Sequence, residues 1–285
     1  MELKYNGTVA HKAAAIAEQH YRELQMGQST GRFSQVLKEL AEEADFKYLL
    51  GHSEGTPAEQ ELVLRFASFY FNTYQGYYGP VKEFLNDTLA KYRDIAPRDE
   101  VRLRADFRNS IQIIRYLFGK SAFRRFYRGD EKNKNGKWET GHFNVALFDI
   151  LMYSFAKQNI TLVLPHKDRI DEALIDLMTT DQEFIDSIEM ATGSRIIVAS
   201  RFEKWCQALQ TILDKGVNIP GTFNYQLKYE LFTASSTCAL CNRPIHMFDD
   251  STFVHLQNYW VGDKLISDQA KLAHRYCKYV QSIKK

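Results

Sequence analysis

Four residues that commonly bind metals lie in two short clusters near the end of the sequence, Cys238-x-x-Cys241 and His274-x-x-Cys277. Three thiolates and one imidazole form a soft donor set that suits a tetrahedral zinc ion, and both spacings are typical of structural zinc sites. The pattern therefore predicts one structural zinc ion held by Cys238, Cys241, His274 and Cys277. The remaining cysteine, Cys206, lies in an apolar helical pattern and is predicted to be a buried, inert thiol.

Simpler explanations of the two clusters stay open from the sequence alone. Two cysteines at this spacing occur by chance in long chains, and His274 could cap a helix. Disulfides are the weaker alternative, because polar and helical sequence follows Met1 directly and no signal peptide is recognisable. These observations predict a reduced, cytoplasmic protein.

The segments around the clusters indicate a small module. Two short extended stretches, 244–246 and 251–255, flank the turn signal Asp249-Asp250 and predict a hairpin, and a helix is predicted over 267–281. A unit of this size has too small a hydrophobic core to fold without a cross-link, which a bound metal ion would supply. We therefore predict a zinc-stapled ββα module over 223–285.

The rest of the chain is predicted to be mainly α, with a helical domain over 1–215 and a Gly- and Pro-containing linker over 216–222. Apolar residues at helical spacing predict three core-facing stripes. The stripes are Phe33, Val36, Leu37, Leu40 and Ala41; Leu62, Phe66, Phe69 and Tyr70; and Phe107, Ile111, Ile114, Leu117 and Phe118. Further helices are predicted over 144–155, 168–179, 181–191 and 200–213.

Composition limits the possible functions without selecting one. A chain with 45% hydrophobic and 25% charged residues is globular, and it contains no apolar run of membrane-spanning length. The net charge of +2 gives no global attraction to nucleic acid, so any DNA-binding surface must be local. The candidates are Arg124, Arg125, Arg128, Lys132, Lys134 and Lys137, with Arg275 and Lys278 on the module's helix. The alternative for the first six is a solvated loop.

The run from Cys238 to Cys277 resembles the HNH endonuclease module of bacterial restriction proteins of the GmrSD type. That family has a Cys-x-x-Cys-x-x-x-Ile knuckle, an Asp-His pair in a strand and a closing His-x-x-Cys-Asn. The helical region is similar to the C-terminal half of the family's ParB-like domain. The matching stretches are 61–66, 82–87, 117–123 and 144–149.

The resemblance implies metal-dependent DNA cleavage in defence against phage. His255 stands where the family's general base stands, which would deprotonate the attacking water beside a magnesium or manganese ion. The ligands of that ion depart from the family pattern. Val254 replaces the aspartate, Gln269 replaces the asparagine and Lys278 replaces the last asparagine. A valine cannot bind a hard cation.

Two interpretations follow from these departures. A nearby acid, such as Asp249, Asp250, Asp263 or Asp268, could supply the missing carboxylate and leave a weak nuclease. Alternatively, the module keeps its zinc and serves as a non-catalytic DNA-binding or scaffolding platform.

The resemblance also implies a protein partner. The family's ParB-like nucleotide-hydrolysing front domain has no counterpart in this sequence, which contains no Gly-rich phosphate-binding motif. Either the sequence is a piece of a longer protein, or a second chain carries that domain. In the second case we expect that chain to dock on the helices between about Leu3 and Leu50, with Leu24, Met26, Phe33 and Leu37 as the candidate surface. The competing expectations are that these side chains close the chain's own core or that they mediate a homodimer.

Overall fold

The computed structural model describes residues 31–51, 58–189, 193–214, 225–255 and 270–283. Within these ranges the chain is mainly helical, as predicted, with two small antiparallel sheets. No helix in the described ranges is both long and apolar enough to span a membrane.

The helices of the first half are α1 (Arg32–Ala41), α2 (Ala44–Leu50), α3 (Glu59–Asn72), α4 (Val81–Lys91) and α5 (Pro97–Phe118). They are followed by the strands β1 (Phe126–Tyr127) and β2 (Lys137–Trp138) and by α6 (Val145–Phe155), α7 (Ile160–Val163), α8 (Lys167–Thr180), α9 (Gln182–Glu189) and α10 (Arg195–Asp214). The last elements are α11 (Tyr225–Ala234), β3 (Ser251–His255), β4 (Ala270–His274) and α12 (Arg275–Ile283). Short 3-10 turns cover 119–121, 164–166 and 248–250.

The chain divides into two compact units, each built from separate stretches of sequence. The first unit comprises residues 1–124, 140–160 and 187–203, and the second comprises 125–139, 161–186 and 204–285. The residues predicted to form the ββα module therefore belong to a larger unit that also contains β1, β2 and α8. The predicted linker, 216–222, lies outside the described residues, so the predicted domain boundary stays a prediction.

The first unit has an aromatic and aliphatic core formed by the predicted stripes. Phe33 and Leu37 on α1 are 0% and 5% exposed, and Phe33 packs against Phe71 and Tyr92. These two residues therefore close the core of their own unit and do not form the exposed docking surface expected for a partner. Leu24 and Met26 lie outside the described residues.

A buried ion network lies in the same core. Asp149 on α6 is 1% exposed and accepts two hydrogen bonds from the Arg65 guanidinium, one of them 3.0 Å long. Arg201 on α10 approaches the same carboxylate at 3.4 Å. The Asn144 side chain accepts a 2.9 Å bond from the Leu147 N–H and caps α6, which begins where the sequence predicts.

The second unit is organised around its two sheets. Phe126 pairs with Trp138 across β1 and β2, and Ser251 pairs with His274 across β3 and β4. Helix α11 packs on β3 and β4, and α12 packs on the same sheet and on α8. Strand β3, strand β4 and α12 thus follow one another in a strand–strand–helix order.

Two details of the predicted module are wrong. Strand 251–255 pairs with 270–274 and not with 244–246, because Pro244 instead forms an isolated bridge with Thr237. The predicted helix over 267–281 begins only at Arg275, because 270–274 form strand β4. Residues 267–269 lie outside the described ranges.

Candidate metal centre

The first two candidate ligands lie in a tight turn after α11. The Cys238 N–H donates to the Arg243 carbonyl at 2.9 Å, and the Asn242 N–H donates to the Cys238 carbonyl at 2.9 Å. Asn242 takes a φ of 58°, in the left-handed region that Asn adopts more readily than most residues. This turn directs both Cys238 and Cys241 towards the same side of the backbone.

The other two candidate ligands lie where β4 meets α12. His274 is the last residue of the strand and Cys277 lies in the first turn of the helix. Their side chains are 0% and 9% exposed. The Ala239 N–H donates to the Leu272 carbonyl at 2.8 Å, so backbone hydrogen bonding joins the cysteine turn to the strand that carries His274.

The four ligand atoms converge as the sequence spacing predicts. All of them lie within 4.8 Å of one another. The Cys241 and Cys277 sulfurs are 3.5 Å and 3.8 Å from His274 Nδ1. Tetrahedral zinc, with bonds of roughly 2.3 Å to sulfur and 2.0 Å to nitrogen, separates these atoms by about 3.6 Å. The cluster therefore has the dimensions and the donor set of a site that could hold one zinc ion.

A hydrogen bond outside the cluster fixes the orientation of the histidine. His274 Nε2 lies 3.0 Å from the Pro244 carbonyl oxygen. Because a carbonyl only accepts, Nε2 carries a proton, and Nδ1 is the ring nitrogen that faces the sulfurs and is left to bind a metal. Metal-binding histidines are commonly held by such a partner on the other ring nitrogen.

The environment of Cys238 favours the thiolate form, which is the form that binds metals. Burial opposes ionisation of Cys238, but the His274 ring and the N–H groups of His274, Leu240 and Cys241 stabilise the thiolate and lower its pKa to about 6. Burial and the neighbouring cysteines raise the pKa of Cys277. Thiolates crowded in this way repel one another, and a bound dication would remove that repulsion.

A buried ion network begins at the residue after His274. Arg275 is 1% exposed, and its guanidinium bonds the Asp249 carbonyl oxygen at 2.6 Å and the carboxylates of Asp176 and Glu172. Lys228 on α11 is also 1% exposed and reaches Glu172 at 2.9 Å. These bonds tie α8, α11 and the start of α12 together next to the metal cluster.

Sequence reasoning missed this network, although a weak signal for it exists. Lys228 precedes Leu231 and Phe232 by three and four residues, which places it on the helix face that these apolar residues bury. A lysine at such a position needs an acidic partner. The sequence does not show which acid that is, because Glu172 lies on a distant helix.

Only some of the residues predicted to be catalytic lie in the part of the chain that the structure describes. His255 is the last residue of β3 and is paired with Ala270, whereas Asp268, Gln269 and Asp263 lie outside the described residues. Val254 is 4% exposed and packs in an apolar cluster with Cys238, Ile245 and Leu272. The position that carries the aspartate in the resembled family is thus part of the core.

The two other acids considered as substitutes have structural partners. Asp249 accepts a 2.8 Å hydrogen bond from Trp138 Nε1. Asp250 is fully buried and accepts from the Arg275 N–H at 3.4 Å. Burial raises the pKa of Asp250 to about 6.

The structure separates the predicted DNA-binding residues into buried and exposed groups. Arg124, Arg125 and Arg275 are 8%, 6% and 1% exposed. Arg124, in the first unit, donates to the Leu50 carbonyl at 3.0 Å, and Arg125, in the second unit, donates to the Phe126 carbonyl at 2.5 Å. These three guanidinium groups lie inside the protein and do not form an exposed cationic surface.

The other five predicted DNA-binding residues lie around the β1–β2 loop and α12. Arg128 stacks on Tyr279 with 3.6 Å between guanidinium and ring centroid, and Lys134 lies 4.4 Å from the Tyr276 centroid. Lys278 donates to Thr252 Oγ1 at 3.0 Å, whereas Lys132 and Lys137 are exposed. The His246 N–H bonds Asn135 at 2.8 Å and joins the same loop to the cysteine turn.

Comparisons of the chain with protein-family models, with curated proteins and with solved structures found no match.

Proposed function

We propose that the chain is a zinc-containing, DNA-directed defence protein of the restriction type, with an HNH-like module in its second unit. The observation that carries this proposal is the strand–strand–helix order of β3, β4 and α12, with the Cys₃His cluster at the β4–α12 junction and His255 at the end of β3. Zinc held by Cys238, Cys241, His274 and Cys277 serves a structural role. Any cleavage uses a separate magnesium or manganese ion near His255.

The burial of Val254 favours a second candidate function. A core valine at the aspartate position leaves the divalent ion without a carboxylate from that residue. In this second version the module binds DNA or scaffolds a complex without cleaving it. The ParB-like nucleotide-hydrolysing domain is then supplied by a partner chain, as the family resemblance implies.

A nicking assay separates the two versions. Supercoiled plasmid is incubated with the protein and either magnesium or manganese, and His255→Ala is the matched variant. Nicking that needs the metal and disappears in His255→Ala supports the nuclease. Nicking that survives His255→Ala shows that the activity belongs to other residues or to a contaminant, and absent nicking leaves the non-catalytic version.

DNA binding is tested through the exposed lysines of the β1–β2 loop. Reversing two charges with Lys132→Glu and Lys137→Glu should weaken duplex binding roughly tenfold at 0.1 M salt. It should also reduce the slope of log affinity against log salt concentration by about 2. The control reverses Lys38 and Lys120, which are equally exposed but belong to the first unit. Equal affinities for the two double variants would remove the loop from the DNA interface.

A further inference from the structure

An exposed aromatic surface lies on the second unit, on α11 and in the turn before β3. Tyr225 and Tyr229, one turn apart on α11, are 41% and 51% exposed. Their rings are nearly parallel, with an interplanar angle of 10° and centroids 6.5 Å apart. Phe248 lies beside both rings, 5.2 Å from Tyr225 and 6.4 Å from Tyr229, and is tilted by about 60° to each. We call these three residues the Tyr225 face.

The two nearly parallel, exposed tyrosine rings suit a planar ligand group. A flat group stacks on an aromatic ring at a contact distance of roughly 3.5 Å. Two classes of planar group meet this requirement, a nucleobase and the guanidinium of arginine.

The charges beside the Tyr225 face distinguish these two classes. Burial raises the pKa of the Tyr225 phenol, and the carboxylates of Asp168 and Asp249 raise it further against the opposing effect of Lys167. Two carboxylates therefore lie within electrostatic reach of the rings. They would repel the phosphates that accompany a nucleobase and attract a cation.

Phe248 already contacts one cation within the protein. Lys228 Nζ lies 4.5 Å from the Phe248 ring centroid and is held there by Glu172. The ring faces in this region are thus suited to positive charge, since an aromatic face carries the negative part of the ring quadrupole. The two exposed tyrosines offer the same kind of face to a group from outside.

We propose that the Tyr225 face binds an arginine side chain of a protein partner. The guanidinium stacks on the exposed ring faces of Tyr225 and Tyr229, and the negative charges of Asp168 and Asp249 attract it. Lysine fits less well, because its ammonium is compact and strongly hydrated and does not stack. This inference is independent of zinc binding and of any nuclease activity.

The experiment measures binding of three labelled probes to the full chain by fluorescence anisotropy: hexa-arginine, hexa-lysine and a dT20 oligonucleotide. Hexa-arginine should bind more tightly than hexa-lysine. Tyr229→Ala should weaken hexa-arginine binding roughly two- to fivefold, the loss expected for one partly exposed cation–π contact. The matched control is Tyr116→Ala in the first unit, which removes a tyrosine that is 53% exposed and should change nothing.

A second variant tests the carboxylates while leaving the rings in place. Asp168→Asn should weaken the binding of both peptides, because it removes a negative charge and leaves the stacking surface unchanged. Three results would overturn the proposal: no hexa-arginine binding, hexa-arginine binding that is unchanged in Tyr229→Ala, or equal binding of the two peptides. Loss of dT20 binding in Tyr229→Ala with unchanged hexa-arginine binding would assign the face to single-stranded nucleic acid instead.

Discussion

Arg275 Nη2 and Glu172 Oε1 are 2.7 Å apart, and Arg275 directly follows the metal-cluster residue His274. The side chains of Arg275 and Glu172 are 1% and 11% exposed, so water screens this ion pair very little. One turn of backbone therefore takes part in both the metal cluster and the ion network of the core. Disrupting the metal cluster should therefore destabilise the ion network, and disrupting the ion network should destabilise the metal cluster.

Replacing Glu172 with glutamine tests how much the ion network contributes to stability. Burial opposes ionisation of Glu172, but Arg275 and Lys228 hold its pKa below the usual value. Removing the charge leaves two buried cations without their shared partner, and we expect a loss of about 3 kcal/mol in unfolding free energy. Urea denaturation measures it.

The matched control for this prediction is Asp45→Asn. It breaks the ion pair with Arg115, in which the two side chains are 50% and 47% exposed. We expect no measurable change there, because solvent screens exposed pairs. Equal effects of the two substitutions would show that the buried network contributes no more to stability than an exposed ion pair.

Substituting Cys241 tests the metal cluster directly. Cys241→Ser should lower the zinc content from one ion per chain to none and reduce the melting temperature, because the small sheet and α12 lose their staple. Elemental analysis measures the zinc. Cys206→Ala is the control, since Cys206 lies on α10 and is not one of the four clustered ligands. A Cys241→Ser protein that retains zinc would disprove the ligand assignment.

Restoring the family's aspartate should harm the fold. Val254→Asp places a carboxylate among Cys238, Ile245 and Leu272, and we expect a loss of roughly 2–4 kcal/mol in unfolding free energy together with weaker zinc retention. Paired with Gln269→Asn, the change would raise nicking only if the strand rearranges. A stable Val254→Asp protein with increased magnesium-dependent nicking would show that residue 254 can reach a catalytic ion.

The stability of the second unit should depend on pH through Asp171. Burial raises the pKa of Asp171 from 3.8 to about 6, with Asp249 and Asp168 adding to the effect and Lys167 opposing it. The folded state therefore holds the proton more tightly than the unfolded state, so stability falls as pH rises from about 4 to about 6. The side chain is 30% exposed, which limits the expected loss to about 1–2 kcal/mol.

The Asp171→Asn variant has no titratable group at this position, so comparison with it isolates the contribution of Asp171 to the pH dependence of stability. The difference in unfolding free energy between Asp171→Asn and the unsubstituted protein should grow across that interval and level off above pH 7. Denaturation curves at several pH values measure it. A difference that is constant with pH would show that Asp171 has an ordinary pKa.

The metal cluster and the helical stripes could be predicted because they depend on local spacing. The sequence shows each of these features directly. The zinc ligands come as a Cys-x-x-Cys and a His-x-x-Cys spacing, and the helical stripes come as apolar residues every three to four positions. The stripe Phe33–Ala41 is buried as predicted. The meeting of His274 and Cys277 with the two earlier cysteines is a long-range contact, and it could be predicted because the two clusters together supply the four ligands of a zinc site.

Strand β4 and the buried arginines could not be predicted in this way. Ala270, Lys271, Leu272 and Ala273 all favour a helix by intrinsic propensity, but pairing with β3 overrides that preference. Arg124, Arg125 and Arg275 belong to a basic pattern that is typical of a surface. Their burial depends on acceptors such as the Leu50 carbonyl and Glu172, which lie far away in sequence.

The second unit is built from three separate stretches of sequence, so its parts are translated at different times. Its segments 125–139 and 161–186 leave the ribosome long before 204–285. Trp138 and Glu172 must therefore wait for Asp249 and Arg275, which are made about a hundred residues later. During that interval the nascent β1–β2 hairpin and α8 lack their packing surface and are open to chaperones. The second unit can reach its native form only after translation has passed Cys277.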